Sequence, residues 1–231
     1  MHPDELKTLF DQQAAVYDTQ WARMAPVRNG LYFLLESVFA GLPDDARLLC
    51  VGAGTGVEMA YLAQRFPRWH FTAVEPSGPM LALCRQRAEA EGYLARCTFH
   101  EGYLDSLPAQ APHHGATCLL VSHFMLEPEA RTAFFRAIAA RLVPGGVLAN
   151  ADLAADTGAP DYDALLRLWI GVMSSAGVAP EVVERTRAAY ERDVAMLPPA
   201  TVAALMAAAG FTPPVPFFQS GLMHGWFAQR V

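Results

Sequence analysis

The feature that most restricts this chain is the run Leu48-Leu49-Cys50-Val51-Gly52-Ala53-Gly54-Thr55-Gly56-Val57-Glu58. A short apolar segment reads as a buried strand, three glycines follow at alternate positions, and a helical pattern begins at Val57. Glycine reaches positive φ and lets a ligand approach the backbone closely. The helix N-terminus beyond it offers N–H groups without partners in the chain. Nineteen residues past Gly56, a second strand-like run ends in Val74-Glu75-Pro76. A carboxylate there, next to the glycine loop in a parallel sheet, suits both hydroxyls of a ribose.

The rest of the chain agrees with a sheet of that kind. Apolar runs at 48–51, 71–74, 97–100, 117–122 and 147–151 alternate with amphipathic stretches at 57–65, 78–91 and 129–142. Such alternation predicts parallel strands buried on both faces by crossover helices. Two helices are expected ahead of them, over 4–17 and 27–40, and Pro144-Gly145-Gly146 should stop the helix before the fifth strand. After Asp152 the rhythm changes to helices over 161–175, 180–193 and 200–209. Leu165, Leu168, Trp169, Val172 and Met173 form a stripe in the first of these that reads mostly as core. Two last strands, 215–220 and 222–229, are joined so tightly that they can only be antiparallel. The expected fold is α/β: a doubly wound, mostly parallel seven-stranded, Rossmann-like sheet with a C-terminal antiparallel hairpin and a helical lid insertion. We expect a single domain over 1–231, with N-terminal helices at 1–40, a core at 41–155, the insertion at 156–198, and the last helix and strand pair at 199–231.

Which nucleotide the loop suits follows by elimination. A phosphate-binding P-loop needs Lys-Ser/Thr where this chain has Val57-Glu58. The dinucleotide pattern G-x-G-x-x-G/A fails in both registers, meeting Val57 or Met59. Glu58 would also set a negative charge near a pyrophosphate. A nucleoside without phosphates remains, and S-adenosyl-L-methionine is a common one.

On these residues the chain resembles the class I S-adenosylmethionine-dependent methyltransferases. Further similarities are His100-Glu101-Gly102-Tyr103-Leu104, Ser122-His123-Phe124, Leu142-Val143-Pro144-Gly145-Gly146 and the N-terminal Phe10-Asp11 and Tyr17-Asp18 pairs. It departs at Cys50, where the family usually has Asp or Glu, and at Tyr103, where Asp or Asn is frequent. The resemblance implies a cofactor site made by Gly52, Ala53, Gly54, Thr55, Gly56, Glu75, Pro76, Met80, Tyr103, Leu104 and Ser122, with Tyr17 and Arg28 closing over it. It implies methyl transfer to a small, partly apolar acceptor lined by Trp21, Trp169, Arg187 and Tyr190. His123 would be a general base or a hydrogen-bonded scaffold residue.

The insertion and Leu126-Glu127-Pro128 also resemble the branch that makes or uses carboxy-S-adenosylmethionine in tRNA modification, with Arg187 as partner of the extra carboxylate. A non-catalytic module that binds S-adenosylmethionine or a partner protein is a third reading.

Composition limits the partners. With 53% hydrophobic and 17% charged residues the chain can bury a large core. A net charge of -6 disfavours strong nucleic-acid binding. No stretch reaches the roughly 18 apolar residues of a membrane span, and the N-terminus lacks a basic-then-apolar leader. Cys50, Cys84, Cys97 and Cys118 form no C-x-x-C pair and are expected as reduced thiols in a soluble, cytoplasmic protein. No metal site is expected, and His113 and His114 read as an exposed loop. A homodimer is left open.

Overall fold

The computed structural model describes residues 3–174 and 178–231. Seven strands form one sheet in the order β3-β2-β1-β4-β5-β7-β6. They are β1 Arg47–Val51, β2 His70–Glu75, β3 Cys97–Glu101, β4 His113–Leu119, β5 Leu142–Leu153, β6 Val215–Ser220 and β7 Met223–Gln229. The first five run parallel, and β7 lies antiparallel between β5 and β6. This is the doubly wound sheet with a terminal hairpin that the alternating pattern predicts.

The helices are α1 Pro3–Gln13, α2 Tyr17–Gln20, α3 Ala25–Val38, α4 Val57–Arg65, α5 Gly78–Ala90, α6 Pro128–Ala139, α7 Tyr162–Met173, α8 Pro180–Asp193 and α9 Pro199–Ala208. Pro26, Pro79, Pro128, Pro180 and Pro199 open α3, α5, α6, α8 and α9, where a missing N–H has no helical partner to lose. Residue 175, included in the helix expected over 161–175, lies outside the described residues.

Because successive strand side chains point to opposite faces, β1 feeds two cores. Leu48 and Cys50 belong to the core that also takes in residues of α3, α4, α5, α7 and α8, whereas Leu49 and Val51 belong to the one that takes in residues of α6 and α9. Full burial of each such leucine stabilises the fold by about 1.5–3 kcal/mol, so a one-residue slip of β1 is strongly opposed. Leu168 departs from the expected stripe and is exposed, while its neighbours Leu166, Trp169 and Ile170 are buried.

Three local boundaries differ from expectation. The N-terminal helix stops at Gln13, and two 3-10 turns around α2 fold the segment back before α3. The fourth strand begins at His113 and ends at Leu119, not over 117–122, because Leu120 turns the chain with φ 60°. His113 and His114 therefore lie in a strand, not in an exposed loop. His113 is buried, its Nε2 lies 3.0 Å from Thr72 Oγ1, and burial lowers its pKa. Finally β5 starts at Leu142, so the Pro-Gly-Gly turn lies within it as an irregularity in the pairing with β4.

Candidate active site

The glycine loop leaves β1 at the point where neighbouring crossovers diverge, since β2 and β4 flank β1. Open α/β sheets bind ligands in that crevice, outside the carboxyl ends of the strands. Gly52, Gly54 and Gly56 have φ of 70°, 53° and 78°. Beyond φ, Gly54 and Gly56 are needed for different reasons. A Cβ on Gly56 would sit 2.5 Å from Cys84 Sγ, so this glycine lets α5 pack against the start of α4. A Cβ on Gly54 would meet no heavy atom within 4 Å and would stand in open space.

Glu75, at the end of β2, is locked by the same loop. Its Oε2 accepts the Gly54 N–H at 2.9 Å and its Oε1 accepts the Ser77 N–H at 2.9 Å. Burial raises its pKa, and the two backbone donors act against that rise. Each oxygen keeps a lone pair for a further donor.

A cavity of about 430 Å³ runs across the carboxyl ends of the five parallel strands. Gly52, Ala53, Gly54, Thr55, Glu75, Pro76, Met80, Tyr103 and Leu104 line it from the ends of β1, β2 and β3 and the segments that follow them. Tyr17, Trp21 and Arg28 line it from the N-terminal segment, and Trp169, Met173 and Tyr190 from the insertion. Trp169 Nε1 donates to Tyr190 Oη at 2.8 Å, which joins α7 to α8 over the cavity. Gly56 is absent from this lining, in keeping with its packing role.

The buried Arg28 Nε and Trp21 Nε1 have no hydrogen-bond partner. Both are donors, and leaving them unmet costs free energy. The cavity thus has unmet donors at Arg28 and Trp21 among its lining and carboxylate acceptors at Glu75.

His123 lies in a 3-10 turn, Ser122–Phe124, and lines the cavity. Its Nδ1 is 3.1 Å from Asp152 Oδ1, and the Leu153 N–H is 3.4 Å from the same nitrogen. Asp152 is fully buried and also accepts from Ser122 Oγ at 2.5 Å, Arg131 Nη2 at 2.9 Å and Asn150 Nδ2 at 2.6 Å. Burial acts to raise the Asp152 pKa, but the His123 hydrogen bond and the Arg131 charge outweigh it and hold the carboxyl at about 2. Ser122 is corrected here. It was expected at the cofactor, but it is fully buried, donates to Asp152 and accepts from Arg131 Nε at 2.9 Å.

Arg187 is the second correction. It does not line the cavity; its guanidinium lies 2.8 Å from Asp163, 3.7 Å from Glu184 and 5.4 Å from the Tyr162 ring. Asp163 on α7 is the nearer acid, and Glu184 one turn back on α8 is the second. The sequence reading also missed Glu58 as a site residue. Its side chain is buried, lines the cavity and accepts the Thr117 hydroxyl. The available signal was an acid in the first turn after the glycine loop, flanked by Val57 and Met59.

Residues 48–146 match the family described as a methyltransferase domain. Over 228 residues the chain is 28% identical to the carboxy-S-adenosyl-L-methionine synthase of Dichelobacter nodosus, covering 95% of this chain and 91% of that one. It is 31% identical over 114 residues to the erythromycin 3''-O-methyltransferase of Saccharopolyspora erythraea, covering 49% of this chain and 37% of that one. The chain is thus similar to the class I S-adenosylmethionine-dependent methyltransferases.

The methyltransferase fold extends well past the matched segment. An O-methyltransferase family protein from Burkholderia thailandensis superposes with a TM-score of 0.65 at 16% identity, over 99% of this chain and 60% of that one. The chain spans 24% and 37% of the length of two of the curated relatives it matches. S-adenosyl-L-methionine is the cofactor of this methyltransferase family, and the cavity fits it: Glu75 can take ribose hydroxyls, Gly54 leaves room, and the unmet Arg28 donor can take a carboxylate. Among the described residues no helix is long and apolar enough to cross a membrane, and no group of three or more His, Cys, Asp or Glu is placed to hold a metal.

Proposed function

We propose that the protein transfers a methyl group from S-adenosyl-L-methionine to a small, partly apolar acceptor, with His123 as the base. The observation that carries this reading is the joining of Glu75, Arg28 and His123 in one cavity. The bound cofactor supplies a methyl group already activated by its sulfonium charge, so transfer is an in-line displacement. The chain's own work is orientation, exclusion of water and removal of one proton. Glu75 accepts the ribose hydroxyls while Gly54 and Ser77 keep its carboxylate in place. Arg28 pairs with the cofactor's carboxylate. Tyr103 and Leu104 border the cofactor's adenine. Phe10, Phe124, Trp169 and Met173 keep water from the acceptor and select an apolar body. With Nδ1 directed at Asp152, His123 keeps Nε2 free to accept a proton from the acceptor's hydroxyl or amine. The net charge of -6 favours an acceptor other than a phosphate polymer.

Calorimetry with S-adenosylhomocysteine tests the cofactor half of this reading. Glu75→Ala should weaken binding at least tenfold, about 1.4 kcal/mol; unchanged affinity overturns the assignment. His123→Ala should slow turnover while leaving that affinity intact, and full turnover would reduce His123 to scaffold.

The Dichelobacter relative supports a second reading, in which the cofactor made or used is the carboxylated one. The arginine first expected for the extra carboxylate, Arg187, is committed to Asp163 and Glu184. Mass spectrometry of the nucleoside that co-purifies separates the two readings, since the carboxylated cofactor is heavier by one carbon dioxide.

A further inference from the structure

Two tryptophans line the cavity, and their indole N–H groups differ. Trp169 Nε1 donates to Tyr190 Oη at 2.8 Å. Trp21 Nε1 is buried and has no partner. Trp21 is also fixed in place by its neighbours. Its backbone N–H donates to the Tyr17 carbonyl at 3.0 Å, and its own carbonyl accepts the Met24 N–H at 3.0 Å. Two residues on, Arg23 Nε donates to the Val172 carbonyl of α7 at 2.9 Å. The indole thus stands where the N-terminal segment meets the insertion. A phenylalanine would fill that place without burying a donor, so the N–H costs stability unless a ligand meets it.

The surroundings decide what such a ligand is. Trp169 and Met173 of α7, Tyr190 of α8 and Val194 beyond it line this end of the cavity, and none carries a charge. Burial raises the Tyr190 pKa, so its hydroxyl stays neutral. Arg187 of the same insertion is committed to Asp163. An ionised acceptor would therefore be desolvated here with no counter-charge from the insertion.

From Trp21 a continuous series of rings leads to His123. Centroids are 6.2 Å apart for Trp21 and Tyr17, 6.2 Å for Tyr17 and Phe10, 5.9 Å for Phe10 and Phe124, and 4.4 Å for Phe124 and His123. All five line the cavity. Such a wall binds a flat ring through face and edge contacts that an aliphatic body does not make. His123 belongs to the same end, because its carbonyl accepts the Ala195 N–H, next to Val194, at 2.7 Å.

Resting on the reading of this cavity as the methyl-transfer site, we propose that the acceptor is an uncharged, planar hydroxyaryl compound with a carbonyl oxygen, and that Trp21 Nε1 donates to that oxygen. Trp21 is then the specificity-determining residue of the acceptor end. A carbonyl answers an indole N–H without bringing a proton of its own to satisfy. An acceptor without it leaves the donor buried and unmet, a large penalty for a small change in structure.

Calorimetry with matched phenols on the S-adenosylhomocysteine-loaded protein tests this, at about pH 6, where the phenol hydroxyls stay protonated. 7-Hydroxycoumarin is set against 2-naphthol, and methyl 4-hydroxybenzoate against 4-ethylphenol and the anionic 4-hydroxybenzoate. Wild type should bind the carbonyl-bearing member of each neutral pair roughly threefold to tenfold more tightly, the worth of one buried hydrogen bond. The anion should bind more weakly than its ester by about tenfold or more. Trp21→Phe keeps an aromatic ring and removes the donor. It should bind S-adenosylhomocysteine as wild type does, which also reports an intact fold, and lose the carbonyl preference in both pairs. Equal binding within each pair, a preference that survives in Trp21→Phe, or no binding of any phenol overturns the proposal. So does a loss of S-adenosylhomocysteine affinity in Trp21→Phe, which would assign the indole to the cofactor. Wild type that does not bind S-adenosylhomocysteine would instead overturn the cofactor site itself.

Discussion

Thr55 donates its hydroxyl to Asp18 Oδ1 at 2.7 Å, tying the middle of the glycine loop to the N-terminal segment. Arg87 completes the junction, with Nη2 2.5 Å from Asp18 Oδ2 and Nε donating to the Thr55 carbonyl at 3.0 Å. The loop, α2 and α5 thus meet at one carboxylate. Tyr17, Trp21 and Arg28, the residues that cover the cavity from this side, follow in the same segment.

Asp18→Ala should therefore loosen the cover more than the fold. Asp18 and Arg87 are partly exposed, so their pairing contributes less than about 1 kcal/mol to stability. S-adenosylhomocysteine affinity should fall by roughly threefold to tenfold, read by calorimetry. Faster hydrogen exchange over residues 14–24 with an unchanged melting temperature would accompany it. Wild-type affinity and exchange would show that the ring contacts of Phe10 with Tyr17 and Phe124 hold the segment unaided.

Gly54→Ala and Gly56→Ala should fail in different ways. Both place an L-residue at positive φ, which costs about 1–2 kcal/mol. At Gly56 the added carbon also collides with Cys84, including its Cα at 3.1 Å, so the fold itself should be destabilised further. At Gly54 the carbon enters open space, so the chain should fold and lose ligand affinity instead. Denaturant melts paired with ligand titrations separate the cases; equal stability loss in both variants would contradict the division.

Asp152 is the anchor of the buried polar cluster behind His123. Asp152→Ala leaves the Arg131 guanidinium fully buried without its carboxylate, which should cost about 3–5 kcal/mol in urea unfolding. The pH dependence has a definite sign. A folded pKa near 2 lies below the ordinary value, so the carboxylate's contribution is complete above about pH 4 and is lost as pH falls toward 2. Wild type should weaken by about 2 kcal/mol across that interval, more than Asp152→Ala does. Parallel curves for the two proteins would refute this.

Glu58 should act on stability in the opposite sense. Its folded pKa is raised, so its destabilising effect is absent below about pH 4.5 and grows until pH passes about 7. Ligand-free Glu58→Gln should melt close to wild type at pH 4.5 and above it at pH 8. A variant that melts lower than wild type at pH 8 would mean that the carboxylate stabilises the empty protein.

Much of the architecture was written in local pattern. Alternating apolar runs and helices specify a parallel sheet because both faces of each strand must be covered, and Gly221, with φ 56°, turns β6 back into β7. The crevice was readable for the same reason: Gly52, Gly54 and Gly56 announce their backbone needs in their own identity. Side-chain partnerships were not. Glu58 meets Thr117 across 59 residues, and Asp152 meets His123 and Arg131 from another strand end. Ser122 was misread because Leu120 turns the chain and carries its hydroxyl into the interior; Arg187 was misread because Asp163, 24 residues away, reaches it first. Backbone preference acts within a few residues and is visible along the chain. The environment that gives a carboxyl a cation, or denies it one, exists only after strands distant in sequence have been brought side by side.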